Sequence, residues 1–576
     1  MERHAQLDTT RRPAYCWLIL FLLLLLFPWG VFAQEQDPAA EKLSEIKNLY
    51  EARNWDAVVD ATSGSPQSPN LLLYRGLALA RLESREQARS AFLAGRRLAP
   101  SDPRFLEELA GIAYEEKDFA AAKQELRRAL AIEPHDNYAN NFLASIYFQE
   151  GNLETALKYW NRVEKPKLED LTFQPQPKLP PLLLDRAFTF SPGSTWSREA
   201  WLTTQARLNA LDVYPHMFFE LQAREDDSFA LVFRGTEQTP LGSNKLLTAA
   251  SLLRDLPFQA VDPEFYNLGH AGLNWTSFYR WDDQKRRVFT ELAAPLYENP
   301  KFRYRFYLEG RNENWNLSNT FVPTTPQLAR LNLRRIASGT EIRFIESGRW
   351  QWTAGAEYSY REFRNLQGIS TAAAPFFTNG STVALRSSVQ RWLIRFPERR
   401  FTLDAHASAE LGTFFRDPLG RYGQLQGTLA ARWLPKARGD DYETQISLHA
   451  GRTIGDVPFD QFFTLGFDRD TPLWLRGHSG LQDGQKGNAP LGRDYLLVNA
   501  ETDKIFYRNG LVTLKAGPFL DTGKTYDSSG FFGSPKWLSD TGVQTKIKVL
   551  GQFQVVLGYG KDLRSGRNSF FTTVTK

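Results

Sequence analysis

The 576-residue chain contains a single cysteine, Cys16. It lies in a segment expected to be removed, so the mature chain has no thiol for a disulfide or a thiolate metal site. The seven histidines, His4, His135, His216, His270, His406, His449 and His478, are scattered without ligand spacing. There is no nucleophile elbow, metal motif or phosphate loop, so no enzymatic activity and no cofactor is expected. A dense Lys/Arg block is also missing, and the net charge is only +5, which argues against nucleic acid as a partner. After residue 33 no stretch approaches the apolar length of a membrane helix, so any membrane insertion must use strands.

Arg11 and Arg12 precede an apolar run over 17–27, followed by Pro28, Trp29, Gly30 and the small-residue stop Val31-Phe32-Ala33. This predicts a cleaved export signal over 1–33, with Gln34 as the new N-terminus. Aromatic residues reach 13%, yet mean hydropathy is only -0.42. That combination fits a transmembrane barrel, whose strands are apolar on one face only.

Pro100 and Pro134 mark a repeat. Ala88, Phe92 and Gly95 lead to the first, and Ala122, Leu126 and Ala129 lead to the second. Ala156, Trp160 and Val163 follow in the same register, and Gly76, Ala110 and Ala144 hold the small position of each first helix. This resembles the tetratricopeptide pattern, in which small residues let two helices cross closely and proline ends the second. An α-helical solenoid over 34–168 is expected, with a concave face that takes a peptide or protein partner.

A proline-rich stretch over 169–181 reads as a stiff, extended linker. Beyond it, 184–190 reads as a strand and Ser197 caps a helix over 198–211. Two alternating strands follow at 217–222 and 229–233, with Asp226-Asp227 as their turn. This α+β unit over 182–237, above all Arg207-Leu208-Asn209-Ala210-Leu211 before the hairpin, resembles a POTRA domain.

From 238 to 576 strand patterns recur. Trp350, Trp352, Ala354, Ala356, Tyr358 and Tyr360 alternate with Gln351, Thr353, Gly355, Glu357, Ser359 and Arg361. Similar alternation begins at Phe401, Tyr442 and Phe553. A transmembrane antiparallel β-barrel of about sixteen strands is expected, an even number as in other bacterial barrels. Alternation alone leaves a soluble sandwich open. The export signal, the strand number and the aromatic content favour the barrel.

Near the C-terminus the chain reads Pro458-Phe459-Asp460-Gln461-Phe462-Phe463-Thr464-Leu465-Gly466, then Leu475-Arg476-Gly477-His478, Asn499-Ala500-Glu501 and Gly517-Pro518-Phe519-Leu520-Asp521-Thr522-Gly523. Together these resemble the superfamily of outer-membrane assembly factors and two-partner-secretion translocators, the BamA/TamA-like surface-antigen barrels. The resemblance implies a long extracellular loop that folds back into the barrel, its Arg-Gly-aromatic tip against acidic residues of the wall. Arg476 and Gly477 match that tip, with His478 in place of the aromatic. Asp521 and Gly523 match the acidic strand, and Glu501 the strand between. Parity gives the same direction independently: Val512, Leu514 and Ala516 form one face, which turns Lys515, Phe519 and Asp521 inward, and Val498 and Ala500 likewise oppose Asn499 and Glu501. Lys576 ends the chain where many barrels end on an aromatic.

The resemblance implies an outer-membrane location with the N-terminal modules in the periplasm, and a role in outer-membrane protein assembly or protein translocation. The clients are unfolded outer-membrane or secreted proteins, alongside outer-membrane lipid and a periplasmic partner on the repeat arm. An alternative of another class is a repeat-plus-barrel exporter of polysaccharide, and a third is a passive porin.

Overall fold

A computed structural model describes residues 38–64, 68–225, 228–239, 252, 254–317, 330–369, 371, 373–435, 441–528, 530–534, 536–549 and 553–575. The expected export signal, the Asp226-Asp227 turn and Lys576 lie outside these. Two compact units divide the chain, 1–139 and 140–576.

The first unit is built from α1 (Pro38–Glu51), α2 (Trp55–Thr62), α3 (Pro69–Arg81), α4 (Arg85–Leu98), α5 (Arg104–Glu115) and α6 (Phe119–Ile132). Leu73, Leu79, Ala88, Phe92, Phe105, Leu109 and Ile112 form one buried cluster. A Cβ at Gly76 would stand 2.3 Å from the Phe92 ring, so the small position of α3 is what admits that ring. The repeat shows in the backbone too. Glu83, Lys117 and Gly151 precede the second helix of successive pairs, and all three adopt a left-handed φ of 59°, 64° and 74°. Asp118 then caps α6 by accepting from the Ala121 N–H at 2.9 Å.

Glu107 in α5 is buried and its Oε1 has no hydrogen-bond partner among the described residues. Burial pushes its carboxyl up to about 7, with Asp136, Glu108, Glu133 and Asp102 adding to the effect. The unfolded carboxyl titrates near 4.5. Ionisation therefore opposes folding, and this unit loses stability as pH rises from the lower value through the higher. Glu107→Gln is expected to stabilise the helical melting phase by up to about 3 kcal/mol at about pH 8, and hardly at all at about pH 4. Thermal circular dichroism at the two pH values checks this. An equal shift at both would contradict it.

In the second unit, the end of α7 (Asn137–Gln149) and α8 (Leu153–Trp160) form a hairpin in which Tyr147 stacks on Tyr159 and Phe148 packs on Trp160. A small α+β module follows. Its sheet has the order β1 (Leu168–Gln174), β3 (Phe229–Gly235), β2 (Met217–Ala223), with β1 parallel and β2 antiparallel to β3. The helices α9 (Pro181–Ala187) and α10 (Arg198–Leu211) pack Leu183, Ala187, Leu208 and Leu211 against Phe233. Ser197 caps α10, accepting from the Ala200 N–H at 3.0 Å. Two expectations are corrected. Residues 184–190 are not a strand, because Pro181 at the first helical position starts a helix that takes in 184–187 and ends at the extended Phe188. The linker read over 169–181 is in part a sheet strand. Leu168–Gln174 pairs with β3, a partner too distant in sequence for a local pattern to reveal.

The remainder closes into one barrel. Its early wall is β4 (Ala260–Val261), β5 (Glu264–Leu268), β6 (Leu273–Trp281), β7 (Lys285–Leu296), β8 (Asn299–Asn316), β9 (Arg330–Ser347) and β10 (Trp350–Gln367). It continues through β11 (Gly380–Phe396), β12 (Phe401–Phe415), β13 (Gly420–Trp433) and β14 (Tyr442–Gly455). A long loop holds the two-residue pieces β15 (Phe463–Thr464), β16 (Leu481–Gln482), β17 (Gln485–Lys486) and β18 (Leu491–Gly492). The wall resumes with β19 (Asp494–Arg508), β20 (Val512–Tyr526), β21 (Leu538–Val549), β22 (Phe553–Asp562) and β23 (Asn568–Thr575). Among the described residues the closed sheet has 18 segments; β16 and β17 belong to the loop, and β4 and β5 are one descending strand broken at 262–263, which leaves fifteen wall strands beside the sixteen expected. Any strand within 240–250 lies outside the described residues.

The faces of this barrel are inverted relative to a water-soluble protein. Leu385 and Leu411 are 63% and 65% exposed on its outside, whereas Glu357 and Arg361 are 4% and 0% exposed on its inside. Tyr304, Phe306 and Leu308 face out of β8 while Arg303, Tyr307 and Glu309 face in. Apolar surface outside and charge inside suits a hydrocarbon solvent and excludes the soluble sandwich.

The small module sits beneath one end of the barrel. Arg186 donates to the Tyr297 carbonyl at 2.7 Å, Asn274 to the Leu211 carbonyl at 2.8 Å, and the Gly348 N–H to Thr203 Oγ1 at 3.0 Å. The next barrel turn meets α8. Asn152 donates to the Pro397 carbonyl at 3.1 Å and Lys158 pairs with Glu398. Burial raises the Glu398 carboxyl, but the Lys158 bond prevails and holds it below its ordinary value. Glu154 of α8 is the junction of all three parts. It accepts two bonds from Arg395 of β11 at 2.5 Å and two from Arg198 of α10 at 2.7 and 3.2 Å. Glu154→Ala leaves two facing guanidinium groups without their shared anion. It is expected to release the α7–α8 hairpin, so that trypsin cuts after Arg162 faster than in the parent. Equal cleavage rates would contradict this docking.

Candidate functional site

The loop from 456 to 493 turns into the barrel, and its tip carries Arg476. Register places the facing wall: Asn499 opposite Asp521, and Asp521 opposite Asp540. Side chains at alternate positions of these strands point inward, so Leu520 is 49% exposed outside while Asp521 is 0% exposed inside. Arg476 meets them with every face of its guanidinium. Nε donates to Asp521 Oδ2 at 2.8 Å and Nη2 to Oδ1 at 2.6 Å. Nη1 donates to Glu501 Oε2 at 2.6 Å and to Gln544 Oε1 at 2.8 Å. The Arg476 backbone N–H adds a bond to Asp521 at 3.0 Å, and the guanidinium carbon lies 3.9 Å from the Phe519 ring centre. A planar fork matches this set of partners, and a point-charge ammonium does not.

The other expected residues gather at the same place. The Gly477 N–H donates to Asp540 at 2.6 Å, and a Cβ there would stand 2.7 Å from the Asp540 carboxyl carbon, so glycine is what permits the approach. His478 Nδ1 lies 2.9 Å from Asp540 and Nε2 3.4 Å from Asp562. Glu501 also binds Lys546 at 2.5 Å. Gly523 sits behind the tip, where a Cβ would reach Leu465 and Leu497 at 3.1 Å.

Several members of the site were not anticipated. Gln544, Lys546 and Asp540 share the inward parity of β21, and the parity argument applied to β20 would have found them. Phe571 of the last strand packs on Phe467 of the loop at 4.8 Å and on Phe519 at 6.1 Å, which ties the loop to the end of the chain. A second anchorage joins the loop to the early wall. Asp470 takes two bonds from Arg280 at 2.9 and 3.0 Å, Asp468 pairs with Lys285 at 3.3 Å, and Lys486 with Glu313 at 2.8 Å. A third uses Asp460, which lies 2.7 Å from Arg361 and 3.3 Å from Arg335. The loop is thus held to three sectors of the wall, and the space left beside it is a charged cavity of about 490 Å³ lined by Arg287, Arg305, Glu309, Arg335, Glu357 and Arg386. The arrangement can hold a conformation. Among the described residues, nothing in it pairs a nucleophile with a base around a reacting atom.

A tetratricopeptide-repeat family model matches residues 113–170. Among curated proteins none matches the chain. Among solved structures, BamA from Haemophilus ducreyi lacking POTRA domains 1-3 is similar over 71% of this chain and 84% of its own, at 11% identity and a TM-score of 0.43. CdiB from Escherichia coli is similar over 71% and 75%, at 11% identity and a TM-score of 0.46. CdiB from Acinetobacter baumannii is similar over 78% and 80%, at 13% identity and a TM-score of 0.43.

Proposed function

We propose that this protein resides in the bacterial outer membrane, with residues 34–237 in the periplasm, and that it assembles outer-membrane proteins or translocates secreted ones. The observation that carries the reading is the inward loop, whose Arg476 is bonded to Asp521 and Glu501 on the lumen wall. This is the arrangement that the resemblance to assembly factors and translocators implies. The apolar outer face supplies the lipid contact. The 182–237 unit acts as a POTRA-like module, and its docking under consecutive barrel turns sets any client it holds at the lumen mouth. The strand β2 has β3 as its only described sheet neighbour, and Phe218 on it is 67% exposed, so an extended client can add there as a further strand. The repeat arm supplies a surface for a periplasmic partner. Neither a cofactor nor nucleic acid enters this account. Conduction of a polysaccharide is disfavoured by the loop, which is ion-paired to several sectors of the wall it would have to leave.

The test is a photo-crosslinking residue placed at Phe218 in living cells, with adducts identified by mass spectrometry. Precursor-derived outer-membrane or secreted polypeptides are the expected adducts. Adducts free of such polypeptides under full expression would overturn the reading.

A further inference from the structure

His478 stands where the resembling family carries an aromatic tip residue, and the structure surrounds it with metal-ligand chemistry. His478, Asp540 and Asp562 are 8%, 0% and 5% exposed, and each offers a donor atom within 4.8 Å of the others. The two ring nitrogens face different carboxylates at different distances. Nδ1 is 2.9 Å from Asp540, the length of a hydrogen bond. Nε2 is 3.4 Å from Asp562 Oδ2, longer than a good N–H···O bond. It is, however, the separation of two ligands that share one tetrahedral ion through bonds of about 2.0–2.1 Å.

We propose that the loop tip holds a first-row divalent cation, liganded by His478 Nε2 and the Asp562 carboxylate, with Asp540 accepting from Nδ1–H. Asp540 then fixes the tautomer and the ring plane, as outer carboxylates do for metal-bound histidines. Its own position is fixed by the Gly477 N–H at 2.6 Å. Asp562 is oriented by the Arg564 N–H at 2.8 Å and by Ser565 Oγ at 2.5 Å. Two protein ligands leave coordination positions for water, and the turn that follows Asp562 over 563–567 is exposed. Charge supports the assignment independently. Around the tip, the buried Asp503, Asp521, Asp540 and Asp562 and the half-buried Glu501 stand against Arg476 and Lys546, a surplus of negative charge that a divalent cation offsets. Such an ion would join the loop to β21 and β22 beside the Arg476 contacts and stabilise the closed arrangement by mass action.

The experiment uses the full-length protein purified in detergent, incubated with Zn²⁺ alone, desalted and analysed for bound metal. The temperature of unfolding is followed with and without a chelator. Stoichiometric zinc is expected in the parent, with chelation lowering its unfolding temperature. His478→Phe, which supplies the aromatic of the resembling family, should lose the zinc and the chelator response while remaining folded. Asp562→Asn should lose the zinc as well. Asp540→Asn should weaken zinc binding by about 10–100-fold without abolishing it. Zinc retained equally by the parent and by His478→Phe, or a parent insensitive to chelation, would overturn the assignment and leave an aspartate–histidine–aspartate ion pair.

Discussion

Arg476→Ala is expected to give a protein that is exported and inserted but unfolds at a markedly lower temperature and fails to support its clients. The side chain is 3% exposed and bonded to Asp521, Glu501 and Gln544. Removing it leaves Asp521, itself fully buried, with its backbone contact and Asn499 but without a cation. Removing one partner of such a buried pair costs about 3–5 kcal/mol. Arg476→Lys should recover only part of this, since an ammonium cannot bond both Asp521 oxygens and also reach Glu501 and Gln544. Heat-dependent mobility on gels reads the stability, and complementation of a depleted strain reads the function. Full activity with unchanged heat resistance would remove Arg476 from the account.

Asp460→Ala is expected to be about as severe through a different sector of the wall. Arg361 is fully buried, and among the described residues Asp460 is the carboxylate paired with it. Its remaining bonds are to the hydroxyls of Thr382 and Ser359, which carry no charge. Arg335 would lose less, because Glu309 and Glu357 also hold it. The cost is again about 3–5 kcal/mol, and it arises from a buried cation left uncompensated. The double variant Asp460→Ala, Arg361→Leu should recover stability, since an apolar pair of suitable volume avoids the unpaired charge. A double variant no more stable than Asp460→Ala would show that the loop depends on Asp460 for something other than that cation. Heat-dependent mobility measures both.

The parts of this molecule that a sequence discloses are those governed by local periodicity. The helix over Arg198–Leu211 and its Ser197 cap follow from a cap residue beside an apolar 3.6-residue pattern. The inward direction of Asn499, Glu501, Phe519 and Asp521 follows from the two-residue period of a strand, because the lipid face must be apolar. Three kinds of feature escaped. Residues 184–190 have an apolar run that suits either a strand or a helix, and the proline pair at 180–181 decides for the helix. The strand Leu168–Gln174 is defined by a parallel partner some sixty residues away rather than by its own pattern. The ion pairs of Asp460, Asp470 and Lys486 join a loop to strands far away in sequence, and any of many acids and bases could have met there. Asp540 and Asp562 belong to this third kind. Parity turns Asp540 inward, but only the fold brings both acids to the ring of His478.

The central claim is that this barrel handles proteins, and the most direct measurement is depletion of the protein from its own cells. The outer-membrane and secreted proteomes are then quantified together with exported polysaccharide. The account predicts that outer-membrane or secreted proteins are lost, while polysaccharide at the surface is unchanged until they are gone. Loss of many unrelated barrels would define a general insertase, and loss of one secreted or surface protein a dedicated translocator. Proteomes that stay intact while a surface polysaccharide disappears would contradict the account.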